Sequence, residues 1–158
     1  MNPSVIITEF SPEYQPGIDL LLTEIQSEYP ETIYGNGTKK IAEVYDLPGR
    51  KYWVALNGDR LIGSIGIVLL ANNNACIKSM FLQKEYRSGV AKIADKLLKT
   101  AIDFAFRYKA AQIFLGTMIQ FKAAQAFYLK HGFKQVQEDE LPVDFVKNPV
   151  DKVFFRLV

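Results

Sequence analysis

A single α/β domain built on a mixed sheet is the fold this sequence predicts, and three observations predict it. The first half alternates extended runs with tight turns, the middle holds two strand–helix units, and the end returns to extended runs. With 158 residues and 49% apolar content, the chain suits one sizeable core and is too apolar for disorder. No internal repeat or low-complexity tract competes with that reading.

Val5–Phe10 reads as the first strand, about Pro12 to Ser27 as a helix, and Lys39 to Tyr45 as a short second helix. Strands follow at Tyr52–Leu56 and Arg60–Leu70, joined through Asn57-Gly58-Asp59, whose Asn-Gly pair is a strong hairpin signal. Asn72-Asn73-Asn74 turns the chain into the run Ala75 to Leu82. Its apolar residues crowd at the end, as in a strand buried on both faces.

The next segment, Tyr86-Arg87-Ser88-Gly89-Val90-Ala91, is a turn of small residues opening onto an amphipathic stretch from Val90 to Tyr108. Val90, Ile93, Ala94, Leu97, Leu98, Ala101, Phe104 and Ala105 fall at helical spacing, leaving Lys92, Lys96, Lys99 and Asp103 outside. A helix start presents free N–H groups and a positive dipole end, which is how a backbone holds phosphate. Strand, turn and helix in that order put those groups at the carboxyl edge of a sheet, where open α/β folds bind ligands.

Such a turn alone serves close packing as well as ligand binding. A second block adds weight: Ala124-Gln125-Ala126-Phe127-Tyr128-Leu129-Lys130-His131-Gly132-Phe133. Ala124, Phe127, Tyr128 and His131 make one helical stripe, Gly132 is a stop signal, and Phe133 begins another extended run. Ile113–Thr117 precedes this block as a strand; Lys134–Gln137 and Val153–Leu157 follow it and pair across a polar loop containing Pro142 and Pro149.

Together the two blocks closely resemble the GNAT family of N-acetyltransferases, over roughly Lys51 to Val136. In that family a strand with an apolar end runs into an Arg/Gln-x-x-Gly-x-Gly/Ala turn that holds the pyrophosphate of acetyl-CoA. A later helix carries Ala-x-x-Phe-Tyr-x-x-x-Gly-Phe. The resemblance implies a mixed sheet flanked by helices on both faces, in the order β-α-α-β-β-β-α-β-α-β-β, with residues 1–158 as one acyl-CoA N-acyltransferase domain.

It also implies site residues. Arg87, Ser88, Gly89, Val90 and Ala91 would bind the diphosphate of acetyl-CoA. The main chain of Met80, Phe81 and Leu82 would bind the pantetheine arm and the thioester oxygen, across from Ile113-Phe114-Leu115-Gly116-Thr117. Each N–H bonded to a charged oxygen contributes roughly 1.5–3 kcal/mol, so three or four approach the roughly −8 kcal/mol of micromolar binding. Tyr128 would assist the departing thiolate, by position more than by acidity, since a phenol of pKa ~10 faces a thiol of ~8.5.

The sequence also departs from the family pattern. The turn is one residue short: aligning Gly89-x-Ala91 puts Tyr86 where Arg or Gln is usual. Phe121 stands where an Asn often contacts the cofactor arm, and Cys76 stands where a Glu often acts as base through water.

An alkylammonium of pKa ~10.4 must lose a proton before it can attack a thioester. Glu28 and Glu31, in the loop Ser27 to Thr38 that corresponds to the acceptor-lining region, are candidate bases, with Glu85 and Asp144 behind them. Acidic and aromatic residues from Glu28 to Tyr34 would suit a cationic acceptor. The acceptor is expected to be a small-molecule or peptide amine, and a homodimer is left open.

Composition excludes other classes. A net charge of +2 without a basic run does not suggest a nucleic-acid partner. One cysteine and one histidine make neither an internal disulfide nor a protein metal cage, so no metal is expected. Met1-Asn2-Pro3-Ser4 leads into a strand with no basic start or long apolar block, so no export signal or membrane span is expected and the cytoplasm is the default. Gly35-Asn36-Gly37-Thr38-Lys39 has the wrong order and spacing for a nucleotide-phosphate loop, and Cys76 reads as a small buried hydrophobe.

The expected activity is acetyl transfer from acetyl-CoA to a primary amine by direct attack in a ternary complex. The alternative is a non-catalytic acyl-CoA-binding sensor or regulatory module of the same fold. A nucleotide-binding protein using the same turn is a further rival.

Overall fold

The computed structural model describes residues 4–33, 40–87, 89 and 92–158. Its strands are β1 (Val5–Glu9), β2 (Arg50–Asn57), β3 (Arg60–Leu70), β4 (Asn74–Leu82), β5 (Gln112–Thr117), β6 (Lys134–Val136) and β7 (Val153–Leu157). Its helices are α1 (Gln15–Gln26), entered through a 3-10 turn at Pro12–Tyr14, then α2 (Ile41–Tyr45), α3 (Ile93–Arg107) and α4 (Lys122–Lys130). The strands form one sheet in the order β1-β2-β3-β4-β5-β7-β6. Every pairing is antiparallel except β4 with β5.

Alternation along β2 assigns the helices to two faces. Trp53 and Ala55 join a core with Ile93, Leu97, Leu98, Tyr128 and Phe133, which puts α3 and α4 on one face. Tyr52, Val54 and Leu56 point the other way and pack with Ile18 and Ile41, which puts α1 and α2 on the opposite face. Covered on both sides, the central strands carry unbroken buried runs, apolar but for Ser64, in place of an apolar–polar alternation.

The hairpins form where turn residues allow. Gly58 supplies a positive φ of 61° between Asn57 and Arg60. Asn72 and Asn73 take φ of 61° and 59°, the paired left-handed geometry that twists correctly between antiparallel strands. The last two strands pair as the pattern predicts, Lys134 opposite Arg156 through Val136 opposite Phe154.

One boundary is corrected. The apolar spacing starts the third helix at Val90, but α3 starts at Ile93, because Lys92 adopts a left-handed φ of 50° and forms the cap. Its first helical bond is from the Lys96 N–H to the Lys92 carbonyl, 3.1 Å. Val90 and Ala91 lie outside the described residues, as do Ser88 and 34–39.

Candidate active site

The sheet is forked at the parallel pair β4–β5. β4 and β5 pair from Asn74/Gln112 to Ile77/Leu115 and no further. β4 then continues to Leu82 beside β3, and β5 continues to Thr117 beside β7. A bulge drives the divergence: the β3–β4 register shifts between Ser64 and Gly66, and Ser79 opposite takes a left-handed φ of 55°. Buried Ser64 fixes it by donating its hydroxyl to the Ser79 carbonyl at 2.9 Å. Bulges bend the strand that carries them and re-aim its side chains. Glycine at position 66 leaves room for Tyr45, since a Cβ there would lie 2.6 Å from the Tyr45 hydroxyl oxygen.

Two cavities meet at the fork. One, about 350 Å³, lies between α2, Lys78, Thr117 and the loop entering β7; the other, about 370 Å³, lies between Leu82, Arg87, Ala94 and Phe127. Met80, Phe81, Phe121, Ala124 and Tyr128 line both. Tyr128 therefore stands at the junction, on the helical stripe that the sequence pattern predicts.

Tyr128 is buried among Phe127, Phe133 and Phe155, with ring centroids 5.7, 5.7 and 5.9 Å away. Its hydroxyl donates to the Met80 Sδ at 3.6 Å. Burial pushes the phenol far above its ordinary range, and the negative charge of Asp151 pushes in the same direction. It stays protonated at any working pH, as a hydrogen-bond donor aimed at sulfur.

Met80, Phe81 and Leu82 lie on the part of β4 that β5 has left. Arg87 lines the second cavity, but its Nε donates to the Leu82 carbonyl at 2.8 Å and its two amino groups reach both oxygens of Glu28. Gly89 is exposed with φ of 126°, while its neighbours Ser88 and Val90, and Ala91 beyond, fall outside the described residues. The amides of Ile93, Ala94 and Asp95 precede the first helical bond of α3, and Ala94 borders the second cavity. That end of the helix favours an anion.

The carboxylates proposed from the loops lie elsewhere. Glu28 is paired with Arg87, Glu31 accepts from Gln120 Nε2 at 2.9 Å, Glu85 pairs with Arg60 at 2.9 Å, and Asp144 accepts from the Ala71 N–H at 2.8 Å. None lines either cavity. The described carboxylate that does is Asp151, whose Oδ2 sits over Gly116, 3.0 Å from where a Cβ would be. Burial pushes its carboxyl above the usual range, against the pull of Lys78 and Lys147. Burial likewise lowers the ammonium of Lys78, whose Nζ donates to the Val146 carbonyl at 2.6 Å.

Sequence reasoning missed this pair. Lys78 had a signal, a lone charge in the apolar strand Cys76 to Leu82; Asp151 had none, being one acidic residue in a polar loop. Cys76 is fully buried and burial raises its thiol, which suppresses the nucleophilic thiolate. Among the described residues no cluster of His, Cys, Asp and Glu could hold a metal, and no helix is long and apolar enough to cross a membrane.

A parallel pair that parts beside two cavities, with a helix N-terminus at the side of one, defines a mixed α/β domain whose open strand edge suits an extended ligand with an anionic end. The profile of the Acetyltransferase (GNAT) family matches residues 19–133, and the chain belongs to that family. It is thus an acetyltransferase of the class that uses acyl-CoA donors. A GNAT-family acetyltransferase from Staphylococcus aureus Mu50 is 29% identical, covering 98% of each chain with a TM-score of 0.84. An acetyltransferase from Streptococcus agalactiae is 24% identical over 98% of each chain, with a TM-score of 0.85. The PaiA N-acetyltransferase of Thermoplasma acidophilum, in complex with coenzyme A, shares the fold at 20% identity over 98% of each chain, with a TM-score of 0.71. No curated protein sequence matches the chain.

Proposed function

We propose that the protein transfers an acetyl group from acetyl-CoA to a primary amine by direct attack in a ternary complex, with residues 1–158 acting as one domain. The observation that carries this reading is the Tyr128 hydroxyl, held at the junction of the two cavities beside the open edge of β4. The second cavity, with the α3 N-terminus at its side, suits the diphosphate end of the donor, helped by Gly89 and the turn residues Ser88, Val90 and Ala91. The main chain of Met80, Phe81 and Leu82 suits the pantetheine arm and the thioester oxygen.

The donor supplies an activated acyl carbon with a thiolate leaving group. Tyr128, kept protonated by its burial, meets the sulfur as charge develops there. The amine enters from the first cavity, where Asp151 is the described carboxylate able to take its proton. A carboxyl whose affinity for a proton is raised by burial is a better base than an ordinary one.

The rival reading, a module that holds acyl-CoA without turnover, draws support from the engagement of Arg87 by Glu28. Thiol release from acetyl-CoA across a panel of amines separates the two. Turnover with any amine supports the enzyme; stabilisation by coenzyme A with no thiol released on any acceptor supports the binder. Stabilisation by ATP or NAD but not by coenzyme A would overturn both.

A further inference from the structure

The first cavity holds two opposite charges that the described residues leave incompletely satisfied. Asp151 is 9% exposed, and its carboxylate accepts no hydrogen bond from the described residues. Lys78, on the facing strand edge, uses one of its three ammonium protons on the Val146 carbonyl. Each feels the charge of the other, yet they form no ion pair among the described salt bridges. Asp151 is buried and Lys78 half-buried, and both border one cavity without pairing with each other, which leaves each charge open to a ligand carrying the opposite sign.

The lining also carries an apolar group, Leu22, Ile33, Ile41, Val44 and Met118, beside the polar Ser79, Thr117 and Asn148. A cavity of about 350 Å³ is at the small end of ligand sites and suits a compact molecule, not a folded chain segment. Lys147, paired with Glu138 at 2.9 Å, also lines the cavity, and its charge is felt by Asp151.

We propose that the acceptor is a small zwitterion of the amino-acid class, its amine directed to Asp151, its carboxylate to Lys78, and an apolar side group to the Ile33–Ile41–Met118 wall. This inference rests on the acetyltransferase reading and names its substrate class. A polyamine is disfavoured, because its second cation would meet Lys78. A peptide N-terminus is disfavoured because it carries no carboxylate at the required place.

The test compares kcat/KM for thiol release with L-leucine, L-methionine and L-phenylalanine against isoamylamine, phenethylamine, leucine amide and spermidine. A hydrogen bond to a charged group contributes roughly 1.5–3 kcal/mol, so the free amino acids should lead their uncarboxylated counterparts by about 10- to 150-fold. Lys78→Met should collapse that lead to within about 3-fold, and Lys78→Arg should keep most of it. Equal or better turnover of the amide, the simple amines or spermidine by the native protein overturns the inference without needing any variant to fold. So does a well-folded Lys78→Met that keeps the full preference. Absence of thiol release on every amine, with coenzyme A still stabilising the protein, overturns the transferase reading and this inference with it.

Discussion

Arg87 grips both carboxylate oxygens of Glu28, at 2.6 and 2.7 Å, and so ties the end of α1 to the turn that follows β4. Two parallel charge-assisted bonds give that contact a fixed geometry. The same contact takes Glu28 out of proton-transfer duty, because both its oxygens are engaged by Arg87 and it borders neither cavity.

Glu28→Gln is therefore expected to leave kcat within about 3-fold, where loss of a general base would cost 10²-fold or more. With side chains 34% and 21% exposed, the pair contributes about 1 kcal/mol after solvent screening, or roughly 2–4 °C in Tm for a chain of this size. Steady-state thiol release and a thermal melt measure the two effects. A hundredfold fall in kcat would return Glu28 to the mechanism.

Tyr128→Phe keeps the ring contacts with Phe127, Phe133 and Phe155 and removes only the donor to sulfur. Because the bond to Met80 Sδ is long and weak, stability should barely change. Catalysis should suffer, with kcat falling about 10²-fold while stabilisation by coenzyme A is retained. Undiminished turnover would exclude the phenol from the reaction.

How far such a site could be read from sequence depends on how locally each part is encoded. The β2–β3 hairpin was legible because Gly58 fixes it within four residues, and Tyr128 because its stripe and the Gly132 stop lie within one helix. The start of α3 was not, because the left-handed backbone of Lys92 is imposed by the fold and not by its side chain. Lys78 and Asp151 are 73 positions apart (151 − 78) and converge because β5 lies between β4 and β7. No short-range pattern announces a meeting made by strand order.

Gly66 ties the fork to the acceptor side. A methyl there would lie 2.6–2.8 Å from the hydroxyl and ring of Tyr45, and Tyr45 also lines the first cavity. Gly66→Ala should cost about 1–3 kcal/mol by overpacking and raise the acceptor KM more than the acetyl-CoA KM. Since the clash is with one side chain, adding Tyr45→Leu should recover part of the loss, a coupling that a double-mutant cycle in denaturant would measure. Strictly additive losses would show that the tyrosine is not what excludes the methyl.

Asp151 is expected to show function held at the expense of stability. Its folded carboxyl is raised by burial despite the pull of Lys78 and Lys147, so the native state binds that proton more tightly than the unfolded chain, whose aspartates titrate near ~3.9. Stability must then fall as pH rises from the unfolded value through the folded one, and stay lower above it. The net shift already includes the attraction to Lys78, so removing the charge still leaves a gain. Asp151→Asn, neutral at every pH, should thus be more stable than the native protein at pH 7.5, with the difference closing below about pH 4, where both states of the native aspartate are protonated. Its kcat/KM for amine should fall about 10²-fold. Denaturant titrations at the two pH values, run beside the thiol assay, measure both effects. A variant that is less stable at pH 7.5 would mean that the carboxylate holds the loop before β7 in place and is not a buried charge kept for the acceptor.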